Sequence, residues 1–221
     1  DFWSQNVLKP IHDVFMKKLK SIRSDGTYNQ DDASSSVRNQ TRKKGTFCYD
    51  LESATERFPS IIQKLVVEEA LGEEIANEWI ILMTDRNFVT PSKGIAKFLC
   101  GQPMGLYSSW AVFSLSHHLI VQMSAEEAGL KLPFYGYKLL GDDISIFDRS
   151  VAKYYESNLA ELGLSIQNTK SIVPKENSKN SGEFCKRLFT EGLEYTPITP
   201  DLLQVVRKDV DLFPMLVKYL I

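Results

Sequence analysis

The sequence predicts an α+β protein, an antiparallel sheet packed on helices, and three observations predict it. Apolar residues recur at helical spacing in several long stretches. Two apolar strands flank the tight turn Gly141-Asp142-Asp143. Glycine and proline separate these runs into short elements. A tight turn joins strands antiparallel, and hairpins mixed with helices make the α+β layout.

The elements follow in order. Val7, Leu8, Ile11, Val14, Phe15, Leu19 and Ile22 fall three and four apart, which predicts a helix from Gln5 to Ile22, with Pro10 near its start and Ser24-Asp25-Gly26 ending it. Tyr28 to Lys44 is polar and reads as a loop; its Arg42-Lys43-Lys44 cluster is either solvated or a phosphate contact. Thr46 to Leu51 reads as a short strand. Pro59 sits where a helix can begin, and helical patterns cover Ile61 to Ala70 and Glu73 to Thr84. Gly101 to Gly105 is a Gly/Pro loop, and Leu106 to Glu127 forms a long apolar helix. Phe134 to Leu140 and Ile144 to Phe147 make a hairpin around Gly141-Asp142-Asp143. Val151 to Leu162 is a helix closed by Gly163. A short strand at Leu164 to Ile166, a polar loop at Lys175 to Ser181, a hairpin from Glu183 to Tyr195 turning at Glu191-Gly192, and a helix from Asp201 to the end complete the pattern.

At 221 residues the chain suffices for one large domain, or one plus a small lobe. It opens at Asp1-Phe2-Trp3 without a Met and reads as a piece of a longer protein. No apolar run approaches the roughly 20 residues that cross a bilayer. Cys48, Cys100 and Cys185 are odd in number and far apart, which argues against a disulfide framework or a zinc site; His12, His117 and His118 are not at metal-ligand spacing from them. A net charge of −2 argues weakly against a nucleic-acid partner, but a site that concentrates acids around metal ions produces the same balance.

The chemistry is carried by carboxylates. Asp142 and Asp143 sit at an exposed tip held by two strands, and Gly141 leaves room beside it. Adjacent carboxylates repel, and a hard cation such as Mg²⁺ relieves the repulsion. The tripeptide alone arises by chance in roughly one chain in 25 of this length, so an ordinary acidic turn stays open. Asp50 closes an apolar strand; it is either a helix cap or a strand-end acid facing the hairpin tip, where two acids can bridge a pair of metal ions. Gly101-Gln102-Pro103-Met104-Gly105-Leu106-Tyr107-Ser108-Ser109 puts a shaped loop before a helix, whose first amides attract phosphate or ribose oxygens; alone it is a turn. The order of strand-end Asp, Gly/Pro/Ser loop, long helix and acidic hairpin is far more specific than any part.

That order resembles the palm motifs of viral RNA-dependent RNA polymerases, and most of all the mitovirus family, relatives of the narnaviruses. The resemblance covers nearly the whole chain: Asp1-Phe2-Trp3-Ser4-Gln5 with His12-Asp13, Asp25-Gly26-Thr27-Tyr28, Asp50 to Pro59 as motif A, Gly101 to His118 as motif B, Gly141-Asp142-Asp143 as motif C, Gly163 to Ile172 as motif D, and Glu183-Phe184 with Lys186-Arg187 as motif E. It implies a right-hand fold: partial fingers over residues 1–45, a palm over 46–190 with room for a finger-like insertion at 70–100, and the start of a truncated thumb over 191–221. It implies RNA-templated RNA synthesis that replicates a positive-strand genome, with two divalent ions (Mg²⁺ or Mn²⁺), nucleoside triphosphates, an RNA template and a product strand, in a host mitochondrion.

The resemblance also implies roles. Asp50 and Asp142 are the principal metal ligands, and Asp143 assists. Lys170 protonates the leaving pyrophosphate. Gly101, Gln102, Pro103, Gly105, Ser108 and Ser109 position nucleotide and template, and Lys186 and Arg187 support the primer strand. The family's motif A carries a second Asp where this chain has Glu56, and the Asn that joins it in many related polymerases falls on Phe113. Glu56 is one methylene longer and still able to accept from a ribose 2′-hydroxyl, the group that distinguishes RNA from DNA. Other readings stay open: a non-catalytic remnant of an endogenised viral gene, a metal-dependent nuclease, and a reverse transcriptase, whose hairpin Leu140-Gly141 fits poorly.

Overall fold

The structure, a computed structural model, describes residues 2–175, 178–198 and 200–217. The chain runs α1 (Phe2–Ser21), α2 (Gln30–Thr41), β1 (Phe47–Tyr49), α3 (Ala54–Arg57), α4 (Ser60–Leu71), α5 (Glu73–Thr84), β2 (Phe88–Val89), β3 (Ile95–Ala96), α6 (Ser109–Glu127), β4 (Tyr137–Leu140), β5 (Asp143–Ile146), α7 (Arg149–Glu161), β6 (Ser181–Phe184), β7 (Arg187–Thr190), β8 (Leu193–Glu194) and α8 (Pro200–Lys208), then a 3₁₀ turn (Val210–Leu212) and α9 (Phe213–Val217). The helical reading of residues 218–221 and the loop reading at 176–177 lie outside the described residues.

The central sheet has the order β1-β5-β4, antiparallel throughout. Its register pairs Tyr49 with Ile144 and Cys48 with Ser145 on one side of β5, and Leu140 with Asp143 on the other. Side chains alternate across a strand, so two different faces result. Phe47, Tyr49, Tyr137, Leu139, Ile144 and Ile146 point into the main core, where Phe113, Ile120 and Val121 of α6 and Val151, Tyr155 and Leu159 of α7 meet them. On the opposite face Ala33 and Val37 of α2 pack with Phe184 and Phe189 of β6 and β7. A third cluster joins Leu8, Phe15 and Leu19 of α1 to Trp79 and Met83 of α5.

The helices therefore do not all lie on one face, because residues 28–44, expected as a loop, contain α2. Three serines there disguise a helix whose apolar residues are only Ala33 and Val37, four apart and fully buried. The side chain of Asn29 caps it by accepting from the Asp32 amide, and Asp31 and Asp32 suit its N-terminal dipole. The expected hairpin over 183–195 is a three-stranded meander, β6-β7-β8, with a first turn at Cys185-Lys186 in addition to the one at Glu191-Gly192. The Leu164–Ile166 strand reduces to a bridge between Ile166 and Leu51, and the small β2-β3 pair was not anticipated. The long helix starts at Ser109, three residues later than its apolar pattern, because Ser108 is left-handed (φ 70°). Among the described residues no helix is long and apolar enough to cross a membrane.

Candidate active site

Strand register decides where the acids stand. The β1–β5 register ends with the Tyr49–Ile144 pair, so Asp50, next after β1, leaves the sheet at the end where Asp143 begins β5. Asp142 precedes it in the two-residue turn from Leu140. The three predicted carboxylates thus share one end of the central sheet, although about 90 residues separate the first from the others.

Asp142 and Asp143 serve different surroundings. Asp142 lines a cavity of about 980 Å³ together with Glu56, Gly105, Tyr107, Ser109, Trp110 and Phe113. Burial pushes its carboxyl up, its own backbone amide draws it down, and Asp50 raises it again. Asp143 faces the meander, where the Cys185 amide donates to its Oδ2 at 2.6 Å. Its burial is deeper, and the carboxyl is pushed up to about 7; the Cys185 amide opposes this, while Glu183, Asp142 and Asp50 add to it. Glu183 belongs to the same electrostatic group: burial and then Asp50 raise its carboxyl, and Lys170 lowers it.

Lys170 lies 3.2 Å from Asp50 Oδ2, on a side chain 63% exposed. The segment carrying it is fastened to the sheet edge by backbone bonds between Cys48 and Ile172 and from the Gln167 amide to the Asp50 carbonyl. Among the described residues no group of three His, Cys, Asp or Glu is gathered closely enough to hold a metal ion. Asp50 is instead paired with an ammonium, and Asp143 with an amide. The donor chemistry nonetheless fits a hard divalent cation: oxygen ligands only, more negative charge than Lys170 offsets, and burial that makes this charge costly.

The Gly/Pro loop is held in shape by its own packing. Gly101 is pressed against the backbone of Thr55 and Glu56, where a Cβ would overlap carbonyl atoms. Gln102 is fully buried, donating to the Ser109 carbonyl, and Ser109 Oγ donates to the Pro103 carbonyl. Ser108 Oγ accepts from the Trp79 indole at 2.8 Å. These hydroxyls face protein and fix the loop, whereas Met104, Gly105 and Tyr107 form its exposed tip. Helix α1 grips that tip: Gln5 donates to the Gly105 carbonyl and accepts from the Tyr107 amide, each at 2.8 Å, and His12 Nδ1 accepts from the Ser108 amide.

The remaining predicted residues divide. Glu56 is exposed at the cavity wall, while Phe113 is buried edge-on against Phe58 and offers no polar atom. Lys186 is exposed at the β6–β7 turn. Arg187 is engaged by both oxygens of Glu194 and by Asp31, so it braces the meander.

Sequence reasoning missed Glu183, Trp110 and His117 as parts of the site. Trp110 covers Gly141 so closely that a Cβ there would overlap its ring. His117 bonds the Gly141 carbonyl at 2.7 Å and the Tyr155 hydroxyl at 2.6 Å. All three lie inside the segments read as motifs B and E, and the His117-His118 pair in a largely apolar helix was a further signal.

A family model described as mitovirus RNA-dependent RNA polymerase matches residues 1–220. The chain belongs to that family. It is 34% identical over 189 residues to the RNA-directed RNA polymerase of Cryphonectria parasitica mitovirus 1, and the match covers 84% of this chain and 22% of that protein. The chain thus spans about a fifth of this viral relative. An uncharacterized mitochondrial protein of Arabidopsis thaliana is 37% identical over 185 residues, 80% of this chain and 71% of that one. A second is 33% identical over 168 residues, 73% and 81%. Among solved structures, apo telomerase from Candida tropicalis aligns with a TM-score of 0.60 at 13% identity, over 85% of this chain and 45% of that one. The RNA-dependent RNA polymerase of a human picorbirnavirus aligns at 0.53 and 18%, over 72% and 33%. For this mitovirus-family chain those likenesses establish the fold, a right-hand polymerase palm.

Proposed function

We propose that the chain is the catalytic palm of a mitovirus-type RNA-dependent RNA polymerase that extends an RNA strand by nucleotidyl transfer. The observation that carries this is that Asp50, next after β1, and Asp143, first in β5, share one end of the sheet with Asp142, which lines the 980 Å³ cavity. Residues 1–45 would enter from the fingers, 46–190 form the palm with 70–100 as a finger-like insertion, and 191–221 begin the thumb. Replication of a positive-strand genome in a mitochondrion is the matching biological setting, supported by the mitochondrial relatives in Arabidopsis.

Two divalent ions, Mg²⁺ or Mn²⁺, would supply activation of the 3′-hydroxyl and neutralisation of the leaving pyrophosphate. Asp50 and Asp142 would hold them and Asp143 would assist, all three being carried at one end of the central sheet. The rest is positioning and charge, as in other phosphoryl transfers. Lys170 stands beside the acids on a side chain long enough to hand a proton to pyrophosphate. Glu56 would accept from the ribose 2′-hydroxyl against the apolar floor made by Phe113. Gly105 at the loop tip would let the nucleotide approach, with Gly101, Gln102, Pro103, Ser108 and Ser109 holding the loop in shape. Lys186 would meet a product-strand phosphate, and Arg187 would keep that turn in place.

The test is extension of an RNA primer on an RNA template with NTPs or dNTPs by the protein, against Asp142→Asn. Extension by the unaltered protein with NTPs, lost in the variant, supports the proposal. Equal extension by both forms sinks it, RNA breakdown without NTPs points to a nuclease, and preference for dNTPs to a reverse transcriptase. A folded protein with no extension favours the non-catalytic remnant.

A further inference from the structure

The turn that carries Asp142 leaves one peptide outside the sheet. Leu140 pairs with Asp143, so the Gly141–Asp142 peptide has no place in the ladder. A buried carbonyl without a donor is costly, and that of Gly141 lies against helix α6. His117 supplies the donor, its Nδ1 at 2.7 Å. A carbonyl can only accept, so Nδ1 carries the proton. Burial holds the ring neutral, its conjugate acid lowered to about 4, and the other nitrogen is then an acceptor. Tyr155 fills that need: its hydroxyl is 2.6 Å from Nε2, and its ring is stacked on the imidazole. The chain Tyr155 to His117 to Gly141 therefore runs in one direction, and one tautomer satisfies every member.

The same peptide plane ends in the Asp142 N–H, the amide that draws the Asp142 carboxyl down against the effect of burial. Oxygen and hydrogen of one peptide are rigidly linked, so turning the carbonyl away from His117 also turns that N–H. Trp110, two turns earlier on α6, closes off the glycine side of the plane.

We propose that His117, oriented by Tyr155, is a positioning residue that aims the Asp142 carboxylate by fixing the Gly141–Asp142 peptide plane, and so sets how well the acid cluster holds a divalent cation. The part concerning the cation rests on the polymerase reading; the part concerning the peptide plane does not.

The experiment uses the whole chain labelled with ¹⁵N, its histidine and Asp142 resonances, and calorimetric titration with Mn²⁺. His117→Asn keeps an N–H near the Nδ1 position, and His117→Gln does not. The expected spectrum of the unaltered chain shows a protonated Nδ1 and bare Nε2 for His117. The Asp142 amide should move in H117Q and stay in H117N. Mn²⁺ binding should weaken roughly 10–100-fold in H117Q and by less than about threefold in H117N, as for other residues that orient a metal ligand. Should H117Q not fold, Tyr155→Phe serves: freed of its partner, Nε2 competes for the proton, and the histidine and Asp142 signals should both shift. A protonated Nε2 in the neutral ring, or an Asp142 amide that ignores H117Q and Y155F, overturns the proposal. Mn²⁺ binding unchanged by Asp142→Asn would instead remove the metal reading, while the Asp142 amide still decides the peptide plane.

Discussion

Two tight turns meet at Asp143, and they solve the same backbone problem in opposite ways. The Gly141-Asp142 turn uses glycine for its left-handed residue (φ 64°) and is covered by Trp110. The Cys185-Lys186 turn puts two side-chain-bearing residues in the left-handed region, at φ 54° and 60°, which costs each of them about 1–2 kcal/mol relative to glycine. In the first turn the glycine answers to packing as well as to conformation. In the second only conformation argues for glycine, and the turn keeps an exposed lysine instead. The difference teaches that the acid-bearing turn is built to hold one position, while the facing turn gives up some stability for a charge.

The largest break in that comparison is Gly141→Ala. It should cost about 2–5 kcal/mol, the sum of left-handed strain and overpacking against Trp110, measured by denaturant unfolding. Adding Trp110→Leu should recover the packing part and leave the strain; strict additivity of the two changes would mean that the ring does not press on the turn. Lys186→Gly tests the other side. It should stabilise the chain by about 1 kcal/mol, and it should weaken RNA binding with a shallower salt dependence. Stabilisation without any loss of RNA affinity would reduce Lys186 to a solvated residue.

The smallest effect belongs to the brace behind the second turn. Hydrogen bonds from Arg187 hold the Glu194 carboxyl below its ordinary value of 4.5. A depressed folded value means that the pair's stabilisation is present above pH 4.5 and is lost as pH falls through the lower folded value. The melting temperatures of the unaltered chain and Glu194→Gln should therefore differ most near neutrality and converge under acid. A constant gap at every pH would show that the brace acts through shape and not charge.

Much of this was legible in order along the chain. Local patterns give α5, the β4–β5 hairpin and α7 closely, because apolar periodicity and turn residues act within a few positions. The helix at 30–41 escaped because what stabilises it, Ala33 and Val37 against Phe184 and Phe189, comes from a partner some 150 residues away. The loop serines show the same limit: their types suggested a part in positioning nucleotide and template, and only packing revealed that the Ser108 hydroxyl bonds Trp79 and the Ser109 hydroxyl bonds Pro103.

By itself the sequence determined the family and the α+β class, and it singled out Asp50, Asp142 and Asp143 as candidates, since motif order and residue chemistry are written along the chain. The tertiary structure alone decided that Asp142 and Asp143 face different neighbours, that Glu183 joins their electrostatic group, and that a histidine from a distant helix holds the peptide between Gly141 and Asp142. Those facts depend on strand register and on which surfaces exclude water, and both are set only when segments far apart in the chain come together.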